Sequence, residues 1–350
     1  MTHRERVLRT FRFEETDRIA YDLMEGDVWS ELLSYFREQH GLQSPTQVWD
    51  FLDVDCRWVL QFVRPPDTSP PTPGAPAAPR TVFTRQVAHG PLSGATTLAE
   101  VEAYPLPDPD WSPIPDFAAA RAQWPDHALV YCPTFTLALF WNACDAFGME
   151  AGLIKMHTEP HLFEALVKRE HERGMEILRR TLPHARGICD ICWMGDDFAG
   201  QQALLMQPEL WRRLIKPYLA EQVALVRSHD LPVLFHSCGA VREVLPDMID
   251  IGVNAMLVFQ TSAAGMDPES IARDFGGRMA FYGGMDVQYL LSRGTVAEVE
   301  AAVARNVRAF ADCGGYMVAN SHCSIATVRG ENIEAMCAAA RRTPDPRSRR

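Results

Sequence analysis

The sequence predicts an α/β chain folded as a distorted (β/α)8 barrel, and three observations lead there. From about Ala128 onward, short apolar runs alternate with amphipathic helical stretches, and strands separated by helices pair in parallel. Six such runs, with one or two nearer the N-terminus, approach the eight of a barrel. Polar residues recur where the runs end, and the C-terminal rim of a barrel is where chemistry is built. The alternative, an open doubly wound sheet, is less favoured, because no G-x-G-x-x-G turn follows any run.

The elements follow in order. Thr2 and Glu5 form a capping box, and Val7, Leu8 and Phe11 then recur at helical spacing, so a helix starts almost at the first residue. "RIAYDL" is a short strand. The stretch to about Phe62 is helical and ends strand-like in "FLDVDCRWVLQF". "VRPPDTSPPTPGAPAAPR" follows, too proline-dense for a ladder or a helix interior. "TVFTRQVAHG" alternates weakly and reads as a hairpin strand, completing an N-terminal excursion of loops. "YPLPDPDWSPIPD" is a second proline-rich connection. The regular runs are "ALVYCPTF", "GICDICWMGDD", "PVLFHSCG", "AMLVFQ", "MAFYGGMD" and "GYMVANSHC". The helical "QPELWRRLIKPYLAEQVALVRSHD" separates the second run from the third. "VREVLPDMIDIG" closes on a glycine suited to a helix C-cap. One barrel domain is expected over residues 1–340, with 341–350 a flexible basic tail.

Composition narrows the function. The chain has 350 residues, 47% hydrophobic and 23% charged, as ordinary soluble proteins do. The N-terminus is charged and without an apolar run, so no secretory signal is expected. No stretch reaches the roughly 18 apolar residues of a membrane span. A cytoplasmic location follows, and there nine cysteines are expected as thiols or metal ligands. A net charge of −11 argues against nucleic acid as a partner.

The strand ends hold the candidate residues: Asp196 and Asp197, His236 and Cys238, Gln260, Asp286, and His322 with Cys323. Strand side chains alternate faces, so His236 and Cys238 point the same way and can converge on one ion near Gly239. Cys323, on the same rim, is the best third ligand. One imidazole and two thiolates suit zinc with a fourth position open. A thiol bound there is held as its thiolate. The bland reading makes His236 a hydrogen-bonded interior histidine and Cys238 a small hydrophobe. Cys189 and Cys192 form a C-x-x-C, but on a strand such a pair diverges, so both are expected as core thiols. Asp196 and Asp197 are candidates for acid/base work, unless one caps a helix entering at "FAGQQ".

With these residues assembled, the chain resembles the uroporphyrinogen decarboxylase superfamily. The likeness runs from "RERVLRTFRFEETDRIAYDL" through "HGPLSGATTLAEVEAYPLPDPDW" to "ENIEAMCAAARR". It is densest in "GDDFAGQQALLMQPELWRRLIKPYLAEQV", "LFHSCGAVREVLPDMIDIGVNAM" and "FYGGMDVQ". The resemblance implies a distorted (β/α)8 barrel with its cleft at the strand C-termini. The superfamily's methyltransferase branch works with corrinoids and carries H-x-C followed far downstream by C. That motif maps onto His236, Cys238 and Cys323, with His322 competing for the last position. It implies zinc, a corrinoid protein or free methylcobamide as partner, and a small methyl donor or acceptor. Asp196 or Asp197, with Gln260, would position substrate, and Asp286 and His322 would line its site. A homodimer is left open. No corrinoid-binding D-x-H-x-x-G signature occurs in this chain. The rival is the decarboxylase itself, whose members open with an arginine-rich segment close to R-Q-A-G-R. Here that stretch is "YDLMEGDVWSELL", with Glu25 and Asp27 where cations would be needed, and Arg57 is the basic residue nearby. A third reading is a non-catalytic corrinoid or tetrapyrrole binder with a structural zinc.

Overall fold

The structure is a computed structural model and describes residues 1–26, 28–63, 90–323 and 327–349. Most of the proline-dense loop, the expected hairpin strand up to residue 89, and Asp27 lie outside the described residues. Eight parallel strands form the expected α/β barrel: β1 (Ala20–Tyr21), β2 (Cys56–Leu60), β3 (Ala128–Cys132), β4 (Ile191–Gly195), β5 (Val233–His236), β6 (Ala255–Phe259), β7 (Ala280–Met285) and β8 (Tyr316–Asn320). Each falls inside one of the apolar runs read from the sequence. Neighbours run β1-β8-β7-β6-β5-β4-β3-β2. Sequential winding with no reversal of strand order is a barrel's topology and not that of a doubly wound sheet.

The seam between β1 and β2 carries no ladder. A single Asp55 N–H donates to the Tyr21 carbonyl at 3.0 Å, and the Asp55 carboxylate accepts from the Tyr21 N–H at 2.9 Å. Asp55 is fully buried and holds three further residues, Arg6 at 2.7 Å, Arg18 at 2.9 Å and His3 at 2.7 Å. Asp55 thus bridges the start of the barrel through its backbone and its side chain, and the Trp58 indole N–H on β2 adds a bond to Asp22, just after β1, at 2.9 Å.

Strand parity divides the core into two layers. Trp58, Val130, Trp193, Leu234, Leu257, Tyr282 and Met317 pack inside the barrel with Cys323, and Cys238 packs against that layer. Val59, Tyr131, Cys192, Val233, Phe235 and Val318 face the surrounding helices. Period-two alternation dictates this split. The first helix, His3–Phe11, has the expected capping box of Thr2 and Glu5. The helix Leu245–Ile251 ends on Gly252 in the left-handed conformation, as its glycine predicts. One expectation fails locally. "FAGQQ" does not open a helix; it forms an irregular loop pinned by an Ala199–Leu204 bridge, and the next helix begins at Pro208. At the C-terminus, Asp345 is 1% exposed and accepts from the Thr16 N–H at 2.9 Å, while Arg347 donates to the Phe13 carbonyl at 2.6 Å.

Candidate metal centre

β4 and β5 end side by side, with Gly195 paired to His236. That register sets Asp196 and Asp197 beside the histidine. The His236 side chain is 1% exposed and its Nε2 lies 3.5 Å from Asp197 Oδ1 and 3.7 Å from Cys238 Sγ. Asp197 Oδ1 also accepts the Cys238 N–H at 2.7 Å. Ligand atoms of Asp197, His236 and Cys238 therefore lie within 4.8 Å of one another. One nitrogen, one sulfur and one carboxylate oxygen around a small space form a donor set compatible with zinc. On its other side, His236 Nδ1 faces Glu25 Oε1 at 2.9 Å.

The protons in this site follow from its burial and charges. Burial opposes a charge on His236, but the carboxylates of Glu25 and Asp197 outweigh it and hold the imidazolium well past the usual histidine range. Burial likewise works against the charge of Asp197, yet its hydrogen bond and attraction to His236 keep that carboxyl below its ordinary value. Burial pushes the Cys238 thiol up to about 11. A metal ligand must be deprotonated, so an ion entering here displaces protons from His236 and Cys238.

The site opens on a cavity of about 370 Å³. Asp197, Cys238 and His322 supply its polar groups, and its apolar wall includes Trp141, Met149 and Leu153. Among the described residues, no lysine or arginine lines it. Arg57 does not supply one: it is 1% exposed and spent on the Val54 and Cys56 carbonyls and on Asp50.

The other expected residues have structural partners. Asp196 takes the backbone N–H groups of Leu139, Phe140 and Trp141 at 3.0, 2.7 and 2.8 Å, so it caps the helix Phe140–Phe147 of the preceding unit. Burial and neighbouring Asp197 raise its pKa to about 7 against those three donors. Gln260 accepts the Gly239 N–H at 2.9 Å and holds the turn after Cys238. Asp286 accepts from Tyr289 and Leu290 N–H at 2.8 and 3.2 Å, capping the turn after β7. Cys323 is buried in the inner barrel layer, outside the mutually close trio. Cys189 and Cys192 are both buried thiols, as expected; Cys192 lies on β4, while Cys189 lies just before it, outside the strand. Glu25 was legible only as an acid after the first strand, and nothing in the spacing ties it to His236.

Gly239, directly after Cys238, occupies a turn that has no room for a side chain. Its φ is +85°, and an added Cβ would sit 2.4 Å from the Gly200 carbonyl oxygen. Gly239→Ala is expected to shift the Cys238 backbone, at a strain of roughly 1–3 kcal/mol, and to lower bound metal while circular dichroism stays that of the parent. Full metal content in that variant would show that the turn is dispensable.

A family model for uroporphyrinogen decarboxylase (URO-D) matches residues 96–343. No curated protein matches the chain significantly in sequence. Among solved structures, a methyltransferase from Methanosarcina mazei superposes with a TM-score of 0.65 at 15% identity, over 97% of this chain and 98% of that one. A D-psicose 3-epimerase from Clostridium cellulolyticum H10 superposes far more loosely, with a TM-score of 0.36 at 10% identity over 70% of this chain and 82% of that one. No helix among the described residues is long and apolar enough to cross a membrane. The family match spans most of the chain and the eight-stranded barrel carries its fold, so this protein belongs to the uroporphyrinogen decarboxylase family.

Proposed function

We propose that this chain is a zinc-dependent methyltransferase that moves a methyl group between a corrinoid and a thiol or other small acceptor. The observation that carries the reading is the convergence of Asp197, His236 and Cys238 on the rim of a cavity. The fold likeness to the Methanosarcina mazei methyltransferase along nearly the whole chain supports it. Zinc, when bound, lowers the pKa of an acceptor thiol so that it is held as the thiolate.

The chain's own residues prepare the place for that acceptor. Asp197 fixes the Cys238 backbone and faces His236. Gln260 secures the following turn. The Trp141, Met149 and Leu153 wall keeps water from the methyl group, and Asp197 disfavours anionic substituents beside it. Cys323, in the same inner layer, is the proposed second thiolate, giving zinc the sulfur-rich set it prefers. The corrinoid arrives as a partner protein or as free methylcobamide.

The test is anaerobic incubation of the zinc-loaded protein with methylcobalamin and a thiol. The thiolate takes the methyl group, the cobalt–carbon pair stays on the metal, and equal amounts of thioether and cob(I)alamin appear. Their absence across a panel of thiols and methyl donors would refute the reading. The same protein is expected to leave uroporphyrinogen unchanged. That substrate carries eight carboxylates, which need arginine forks, and the described cavity lining offers an aspartate instead. Accumulation of the four-carboxylate porphyrinogen at enzyme-like turnover would instead favour the decarboxylase.

A further inference from the structure

Glu25 sits on the opposite side of His236 from Asp197 and Cys238. Its Oε1 is 2.9 Å from Nδ1, while Nε2 faces the other two groups at 3.5 and 3.7 Å. An ion held by Nε2 is therefore separated from Glu25 by the imidazole ring, and Glu25 cannot join the donor set without the ring turning over. Its backbone is also held where a glutamate rarely rests, at φ 56° and ψ 23°. Such a conformation persists only when the surroundings over-determine it.

They do so here. Met24 N–H donates to Asn320 Oδ1 at 2.9 Å, tying the segment to the end of β8. Gly26 N–H donates to the Leu23 carbonyl at 3.0 Å. The Gly26 carbonyl accepts the Trp49 indole N–H at 3.0 Å. Gly26 itself has φ +67°, and a Cβ there would meet the Trp49 and Trp58 rings at 3.1 Å. Contacts from three other parts of the chain thus press one acidic side chain against one ring nitrogen.

We infer that Glu25 is a positioning residue for the metal centre: its carboxylate, 2.9 Å from His236 Nδ1, holds the ring by charge from that side and so keeps Nε2 turned toward the ion. The inference rests on the metal reading proposed above. Residues that hold the far nitrogen of a ligating histidine typically change metal affinity by about 10–100-fold.

Cobalt(II) is the probe, because its absorption bands report ligand geometry as well as occupancy. Titration of the metal-free protein is expected to give an affinity about 10–100-fold weaker in Glu25→Ala than in the parent, with shifted ligand-field bands. Glu25→Gln, which retains an acceptor and loses the charge, is expected to fall between them. Gly26→Ala, which leaves the carboxylate but crowds its support, is expected to weaken cobalt binding as well. Thermal midpoints of the metal-free parent and Glu25→Ala within a few degrees of each other separate this role from a purely structural one. Tight binding by the parent together with equal affinity and an unchanged spectrum in Glu25→Ala would overturn the role of Glu25 alone. A parent that takes up no cobalt would overturn the metal reading itself, and this inference with it.

Discussion

Replacing Asp55 by alanine is expected to destabilise the barrel by about 3–5 kcal/mol, the cost of removing one partner from a buried ion pair. Asp55 is 0% exposed and is shared by Arg6, Arg18, His3 and the Tyr21 N–H. Without it, the 5% exposed Arg6 retains only Asp17 as a charge partner among the described residues, and the seam between β1 and β2 loses the side-chain bond to the Tyr21 N–H. Urea denaturation followed by circular dichroism measures the loss, and a variant within about 1 kcal/mol of the parent would remove Asp55 from its place as the seam's main tie. A pH dependence follows. Burial raises the Asp55 pKa, but the hydrogen bond from His3 and the charges of Arg18 and Arg6 bring it below the ordinary value. A carboxylate depressed in the folded state contributes fully above its unfolded pKa, roughly 3.9, and that contribution is lost as pH falls through the folded value. The parent is therefore expected to weaken below about pH 4, and Asp55→Asn, uncharged throughout, is expected to lack that part of the slope.

Removing a ligand from the rim should do the reverse, emptying the site while leaving the fold. His236→Ala and Cys238→Ser are expected to lose bound zinc by more than the 10–100-fold of an outer-shell change while circular dichroism stays that of a folded barrel, His236→Ala with a lowered midpoint because it strands the carboxylates of Glu25 and Asp197. Methyl transfer from methylcobalamin should fall with the metal. Cys323→Ser is expected to lower occupancy further than Asp197→Asn, since thiolate suits zinc better than carboxylate, and His322→Ala is expected to keep the ion. Full occupancy in Cys323→Ser beside an empty Asp197→Asn would restrict the donors to the trio already gathered. Metal analysis of purified variants reads both patterns. Full zinc in His236→Ala and Cys238→Ser would abolish the proposed centre.

Much of this was legible from local pattern. Alternation along "PVLFHSCG" was enough to turn His236 and Cys238 to one side, because strand geometry has period two whatever the tertiary context. Short apolar runs separated by helical stretches located all eight strands, and the expectation that Cys189 and Cys192 are buried thiols is met. The capping box at Thr2 was equally readable, since its partners are three residues apart. Loop chemistry was not. Asp196 was expected to act in the cleft or cap its own unit's helix, but it caps the preceding unit's helix across the rim. Glu25 entered as a charge unfavourable to a polyanion, and the fold brings it 211 positions along the chain to His236 Nδ1 (236 − 25 = 211). Periodicity specifies which face of a strand a residue occupies. Which loops meet above that face depends on barrel closure, on the turns at Gly26 and Gly239, and on tethers such as Met24 to Asn320. Those contacts join residues too distant in sequence for any local pattern to carry them, and only the tertiary structure decided that two carboxylates would flank one imidazole.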